Sequence, residues 1–172
     1  MYKATIFIAM MAFMLNIQAQ ELNKIMLDTN IQKEVLIGDC NRDGLEGPIF
    51  SEYFIGGYAG YNADPEVVEM LESHGHDYTI VIVMGSWCGD SQDQVPRFFK
   101  IADTFGFPEE NIRIICVDRK KHWPGNEDEI ALLNIELVPT FIFYRDGEEL
   151  GRIIETPANT LEVDWLKIVE NL

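Results

Sequence analysis

The stretch Val81-Ile82-Val83-Met84-Gly85-Ser86-Trp87-Cys88-Gly89-Asp90-Ser91-Gln92 decides how the chain is read. Its opening residues are apolar and mostly β-branched, the composition of a strand buried on both faces. Gly85 ends that run, and a Trp-Cys pair follows. Beyond Ser91, apolar residues recur at helical spacing: Val95, Phe98, Phe99, Ala102 and Phe105. A buried strand therefore delivers Cys88 to the first turn of an amphipathic helix. Backbone N–H groups are unpaired there, a setting in which cysteine serves as a nucleophile. A dithiol site needs a second cysteine, and this stretch supplies Ser91 in its place. Asp90 adds a carboxylate close to the sulfur. Pro96 lies inside the helix and is expected to kink it, because it removes one backbone hydrogen bond.

Working toward the N-terminus, Tyr78 to Met84 forms the central strand. Asp64-Pro65-Glu66 is a helix start, with Asp as cap and Pro in the first turn. Val67, Val68 and Leu71 make its buried stripe, and His74-Gly75 ends it. Between Asp39 and Gly60 glycines are frequent, which predicts irregular structure. The interleaved aromatics Phe50, Tyr53, Phe54, Tyr58 and Tyr61 predict that this segment packs on the domain. Tyr53, Phe54, Tyr58 and Tyr61 could also line a peptide groove. Glu21 to Val35 shows helix-like spacing at Leu22, Ile25, Met26, Ile31 and Val35, predicting one or two short helical turns. Residues 1–19 read as a signal peptide: Lys3 at the start, an apolar run from Ala4 to Ile17, and Ala19 before the cleavage point. The run is shorter than the ~20 residues a spanning helix needs, so no integral membrane anchor is expected after cleavage. The expected location is periplasmic or secreted.

Toward the C-terminus, Ile112 to Val117 is a second buried strand, and Asn126-Glu127-Asp128-Glu129 opens a short helix. Leu137-Val138-Pro139-Thr140 leads into the strand Phe141 to Tyr144. Asp146-Gly147 is a hairpin-turn signal, and Glu149 to Ile154 is the return strand. Thr160 caps a last helix with Leu161, Trp165, Ile168 and Leu172 on one face. This order gives a mixed α/β sheet with helices on both faces.

The 172 residues suit one domain, and 29 acids against 13 bases give a net charge of -16. Such a surface repels nucleic acid and anionic lipid, so neither is an expected partner. The three cysteines are Cys40, Cys88 and Cys116. An odd number leaves at least one thiol free or paired outside the chain. No CxxC and no zinc-type Cys/His spacing occurs, so neither a metal nor a cofactor is expected. Cys116 falls in a predicted central strand and should be buried and inert. Cys40 is a possible second thiol, if the N-terminal segment folds across the active-site face. His74 and His76 flank a helix end, and His122 and Trp123 lie in a loop that could approach the site.

These residues resemble the thioredoxin family. Trp87-Cys88-Gly89 between strand and helix, Pro96 within the helix, and Val138-Pro139-Thr140 before the hairpin carry the resemblance, which covers about Asp64 to Leu172. Trp87-Cys88-Gly89-Asp90-Ser91 with Gln94-Val95-Pro96 and Asp118-Arg119 is similar to a group of exported bacterial thioredoxin-like proteins. The resemblance implies a thioredoxin-like domain at 64–172, with a central mixed sheet flanked by helices, preceded by an N-terminal extension at 20–63. It also implies a cis Pro139 beside the Cys88 sulfur, with Val138 free to pair with an extended peptide. Two departures stand out: Ser91 replaces the second cysteine, and Ile82 occupies the place of the family's buried acid.

The expected function is monothiol thiol–disulfide exchange with protein or small-molecule thiols and disulfides. Cys88 is the nucleophile, Ser91 a hydrogen-bond donor to its sulfur, and Trp87, Val138, Pro139 and Thr140 the substrate-side residues. Without a resolving thiol, release needs an external thiol or the substrate's own second thiol. The alternative is a non-catalytic peptide- or protein-binding module on the same fold.

Overall fold

Strand β3 (Thr79–Met84) lies in the interior of the sheet, with β4 (Ile112–Cys116) parallel on one side and β5 (Thr140–Arg145) antiparallel on the other. The computed structural model describes residues 21–170, and the expected signal peptide at 1–19 lies outside the described residues. β6 (Glu148–Ile154) pairs with β5 through a tight hairpin. Asp146 and Gly147 both take positive φ there, 52° and 83°, as a two-residue turn between twisted strands requires. Two further strands, β1 (Lys24–Asp28) and β2 (Lys33–Cys40), complete a six-stranded sheet in the order β1-β2-β4-β3-β5-β6.

Alternation along the strands divides the core in two. Ile80, Ile82 and Met84 of β3 face one side, together with Leu36, Ile114, Phe141 and Phe143. That side is covered by α2 (Ser51–Gly60), α3 (Pro65–Ser73), α4 (Gly89–Thr104) and α6 (Leu161–Val169) through Phe54, Leu71, Phe98 and Trp165. Phe98 stacks between Trp165 and Phe141, with ring centroids 4.7 and 4.9 Å away. The buried Trp165 Nε1–H donates to the Tyr78 hydroxyl at 2.9 Å. The other side holds Val83, Ile115, Val117 and Val138 with Ile130 of α5 (Glu127–Leu133). Each such aliphatic side chain contributes about 1.5–3 kcal/mol by leaving water, so the central strands are the most strongly fixed part of the fold.

Helix starts follow their sequence signals. Asp64 accepts from the Glu66 N–H, Pro65 opens α3, and Thr160 accepts from the Val163 N–H at the start of α6. α4 runs unbroken through Pro96. The Glu162 carboxylate, 2 % exposed, accepts from the Tyr61 hydroxyl and the Asp64 N–H, joining α6 to the α2–α3 connection.

The N-terminal segment differs from its expected form. Glu21 to Val35 carries β-strands in place of the expected helical turns, because β2 finds its partners in β1 and β4. Asn23 and Gln32, the residues just before β1 and β2, take left-handed φ of 59° and 53°. Asp39 to Gly60 is largely helical, with α1 (Arg42–Leu45) and α2 in place of irregular chain. Gly57 is a packing residue: a Cβ there would lie 2.9 Å from Pro96 of α4. Residues 24–60 thus add strands and helices to the same sheet and core.

Candidate active site

Cys88 sits at the cap position of α4 in an extended conformation, φ -90° and ψ 128°. Its N–H donates to the Gly85 carbonyl at 2.9 Å, and its carbonyl accepts the Gln92 N–H at 3.0 Å. The turn between β3 and α4 is thereby closed on both sides of the cysteine. The Cys88 sulfur is half-buried and donates to the Val138 carbonyl oxygen at 3.2 Å. Asp90 Oδ2 lies 3.8 Å away. The Val138–Pro139 peptide is cis.

Trp87 is held by its Nε1–H, which donates to the Val117 carbonyl at 2.9 Å. The Arg119 guanidinium lies over its ring, 5.5 Å from the centroid. Gly85 is required below it, because a Cβ there would meet the indole at 2.5 Å. The Gln92 amide donates to the Ser86 carbonyl, and the Ser86 hydroxyl accepts the Leu36 N–H from β2. The N-terminal strands therefore brace the active-site turn directly.

Ser91 is completely buried, and its Oγ accepts the Gly85 N–H at 3.2 Å. The expected bond from this hydroxyl to the Cys88 sulfur does not form: the sulfur's partners are the Val138 carbonyl and Asp90. Thr140 is 1 % exposed and donates to the Leu137 carbonyl at 2.7 Å, so its side chain shapes the turn before β5 from beneath. Pro139 is also buried. Of the expected substrate-side residues, Val138 reaches the sulfur through its carbonyl and Trp87 flanks it.

Cys40 lies away from this constellation. It ends β2 opposite Ile114, faces the side of the core covered by α2, α3, α4 and α6, and donates to the Asn41 carbonyl. Cys88 packs at the margin of the opposite side. Cys116 neighbours Cys40, and the Cys40 contact together with full burial pushes the Cys116 thiol well up. The structure thus places two thiols in the core and Cys88 at the surface.

Other candidates divide similarly. Phe54 is in the core, Tyr58 donates to Asp103, Tyr61 donates to Glu162, and Tyr53 is exposed near Trp87. Trp123 is buried behind Gly38, whose φ of 83° and missing Cβ make room for the indole. His122 lies 3.9 Å from the Asp118 carboxylate. The bracing pair Asp28 and Arg119 escaped sequence reasoning as a pair: the buried Asp28 carboxylate accepts the Arg119 N–H from across the sheet. Among the described residues, no group of three or more His, Cys, Asp or Glu is placed to hold a metal ion.

Chemically, this arrangement presents one accessible sulfur, a neighbouring backbone carbonyl, and an aromatic flank. It suits formation of one mixed disulfide at a time.

A family model described as thioredoxin matches residues 52–167. Thioredoxin H2-1 of Oryza sativa subsp. japonica is 29% identical over 100 residues, covering 55% of this chain and 64% of that protein. Thioredoxin-like 3-3 of the same organism is 27% identical over 128 residues, covering 72% of this chain and 92% of that protein. Among solved structures, a protein of unknown function from Pseudomonas aeruginosa matches with a TM-score of 0.55 and 17% identity. That match covers 78% of this chain and 93% of the other, and it supports the fold alone.

Proposed function

The chain belongs to the thioredoxin family, and on that premise we propose that it is an exported monothiol thiol–disulfide exchange protein with Cys88 as nucleophile. The observation that carries the proposal is the placement of Cys88: capping α4, half-buried, its sulfur against the Val138 carbonyl while the other two thiols lie in the core. The Cys88 thiolate attacks one sulfur of a substrate disulfide. A Cys88–substrate disulfide forms as the substrate S–S bond breaks, and the departing sulfur leaves as a thiolate. Ser91 cannot resolve this adduct. An external thiol, or the substrate's second thiol, attacks it and returns Cys88 to the thiolate form. The protein undergoes no net oxidation or reduction.

The proposed substrates are protein or small-molecule disulfides of an oxidising compartment, where the signal-like residues 1–19 would send the chain. The test is capture from cell-envelope extracts, read on non-reducing gels. Exchange predicts disulfide-linked partners that disappear in Cys88→Ser. A partner set captured equally well by Cys88→Ser contradicts exchange and supports a binding module.

A further inference from the structure

Charge is distributed unevenly around Trp87. The chain carries a net charge of -16, and most of its arginines are neutralised: Arg42, Arg97, Arg113 and Arg152 each pair with a carboxylate. Lys33 and Arg119 are exposed, and neither forms an ion pair among the described residues. The fold brings these two together. Lys33 opens β2 at the end of the sheet where Leu36 bonds to Ser86, and Arg119 follows β4 with its backbone held by Asp28. Both line one cleft of about 270 Å³ beside the active-site turn, together with Trp87, Gln92, Ile49 and Tyr53.

The acids nearby are few. Glu34 shares the cleft wall. Asp90 stands beside the sulfur. Asp28 is occupied by N–H donors from Asn30 and Arg119. In a strongly acidic protein, the cleft beside the active-site turn thus holds two cations against one acid. Arg119 already lies over Trp87, so its planar fork is oriented before a ligand arrives, the arrangement that suits carboxylate recognition. Trp87, Ile49 and Tyr53 supply apolar surface for the stem of a side chain.

We propose that this cleft is a substrate subsite for a carboxylate, and that the preferred substrates are peptide disulfides with an acidic residue beside the reacting cysteine. The inference rests on the exchange function of Cys88 and specifies its substrate class. The covalent step is unchanged: the Cys88–peptide S–S bond forms, the peptide's original S–S bond breaks, and the leaving sulfur takes the electron pair. Lys33 and Arg119 act before that step by holding the acidic side chain.

The test uses the full chain and three peptides identical except for Asp, Asn or Lys next to a single cysteine. Each cysteine is blocked as its 2-thiopyridyl disulfide, so Cys88 attack releases 2-thiopyridone, read by absorbance. At 0.15 M salt the repulsion from distant acids is screened beyond ~8 Å, leaving the local cations to decide. The expected order is Asp, then Asn, then Lys, with an Asp-to-Lys rate ratio of roughly tenfold from one or two charge-assisted contacts. Arg119→Gln combined with Lys33→Gln brings the ratio below about twofold, while Arg119→Lys alone keeps part of it because the charge remains. Equal rates for the three peptides, or an Asp preference that survives the double variant, would overturn the subsite and leave exchange standing. Absence of Cys88-dependent release from every peptide would overturn both.

Discussion

Ser91→Cys returns a second thiol to the first turn of α4, and the structure sets both its cost and its gain. The Ser91 Oγ accepts the buried Gly85 N–H at 3.2 Å. Sulfur is a weak acceptor, so the variant leaves that donor nearly unpaired, at about 1–3 kcal/mol. For a chain of this size, Tm falls by roughly 2–4 °C per kcal/mol lost. The gain is kinetic. Position 91 lies in the first turn of α4, three residues after the cap residue Cys88, so the introduced thiol attacks the Cys88 mixed disulfide from within the molecule. A group tethered this closely acts at an effective concentration in the mM range or above, which shortens the adduct's lifetime at least about tenfold relative to ~0.1 mM external thiol. The assay loads wild type and variant with the same peptide through Cys88, quenches with acid at intervals, and quantifies the adduct by mass. Near-UV circular dichroism checks that the variant is folded. A folded variant whose adduct lasts as long as that of wild type refutes the description of this site as a dithiol frame holding one thiol.

Gly85→Ala forces the Trp87 indole from its place, since the new Cβ would sit 2.5 Å from the ring; the expected loss is about 1–3 kcal/mol of stability with slower Cys88 alkylation, and an unchanged Trp87 emission difference against Trp87→Phe would contradict it. Tyr78→Phe orphans the buried Trp165 Nε1–H, costing about 1–3 kcal/mol in urea denaturation, and a change within 0.5 kcal/mol, roughly the scatter of surface substitutions, would show that the bond carries no weight. Asp28 gives a pH signature. The Asn30 backbone N–H holds its carboxyl below the ordinary range, burial opposes this, and the Asn30 side chain and Arg119 N–H add to the lowering. Because the folded value is depressed, the stabilisation is complete above the unfolded value of about 3.9 and is lost as pH falls through the folded value. The stability gap between wild type and Asp28→Asn should therefore be widest near neutral pH and narrow as pH drops below about 4; a gap independent of pH would contradict the assignment.

Local signals carried the parts of the fold built from local causes. The apolar run ending at Gly85, the Asp64-Pro65 start, the Asp146-Gly147 turn and the Thr160 cap all took their expected forms. The N-terminal segment was not legible in this way. β2 is a strand because β4 offers it an edge, and nothing in Glu21 to Val35 encodes that partner. Glycine was misleading in α2 for a related reason: Gly57 admits the close approach of Pro96, a tertiary demand that looks like a chain breaker in the sequence. The same distinction governs the site. Cys88 and Trp87 were readable from one stretch, whereas the burial of Ser91 and Thr140 and the bracing by Ser86, Asp28 and Arg119 depend on strands distant in sequence. Cys40 reads as a candidate in the sequence because nothing local encodes the path of β2, whose register sets it near Cys116 on the side covered by α2, α3, α4 and α6.

The proposed exchange rests on Cys88 being the accessible thiol while Cys40 and Cys116 are held in the core. Its most direct measurement treats the native full chain with excess peptide disulfide, blocks remaining thiols after unfolding, and maps each cysteine by mass. One peptide adduct per chain is expected, on Cys88, with Cys40 and Cys116 alkylated only after unfolding. An adduct on Cys40 or Cys116 in the native protein, or none on Cys88, would contradict it.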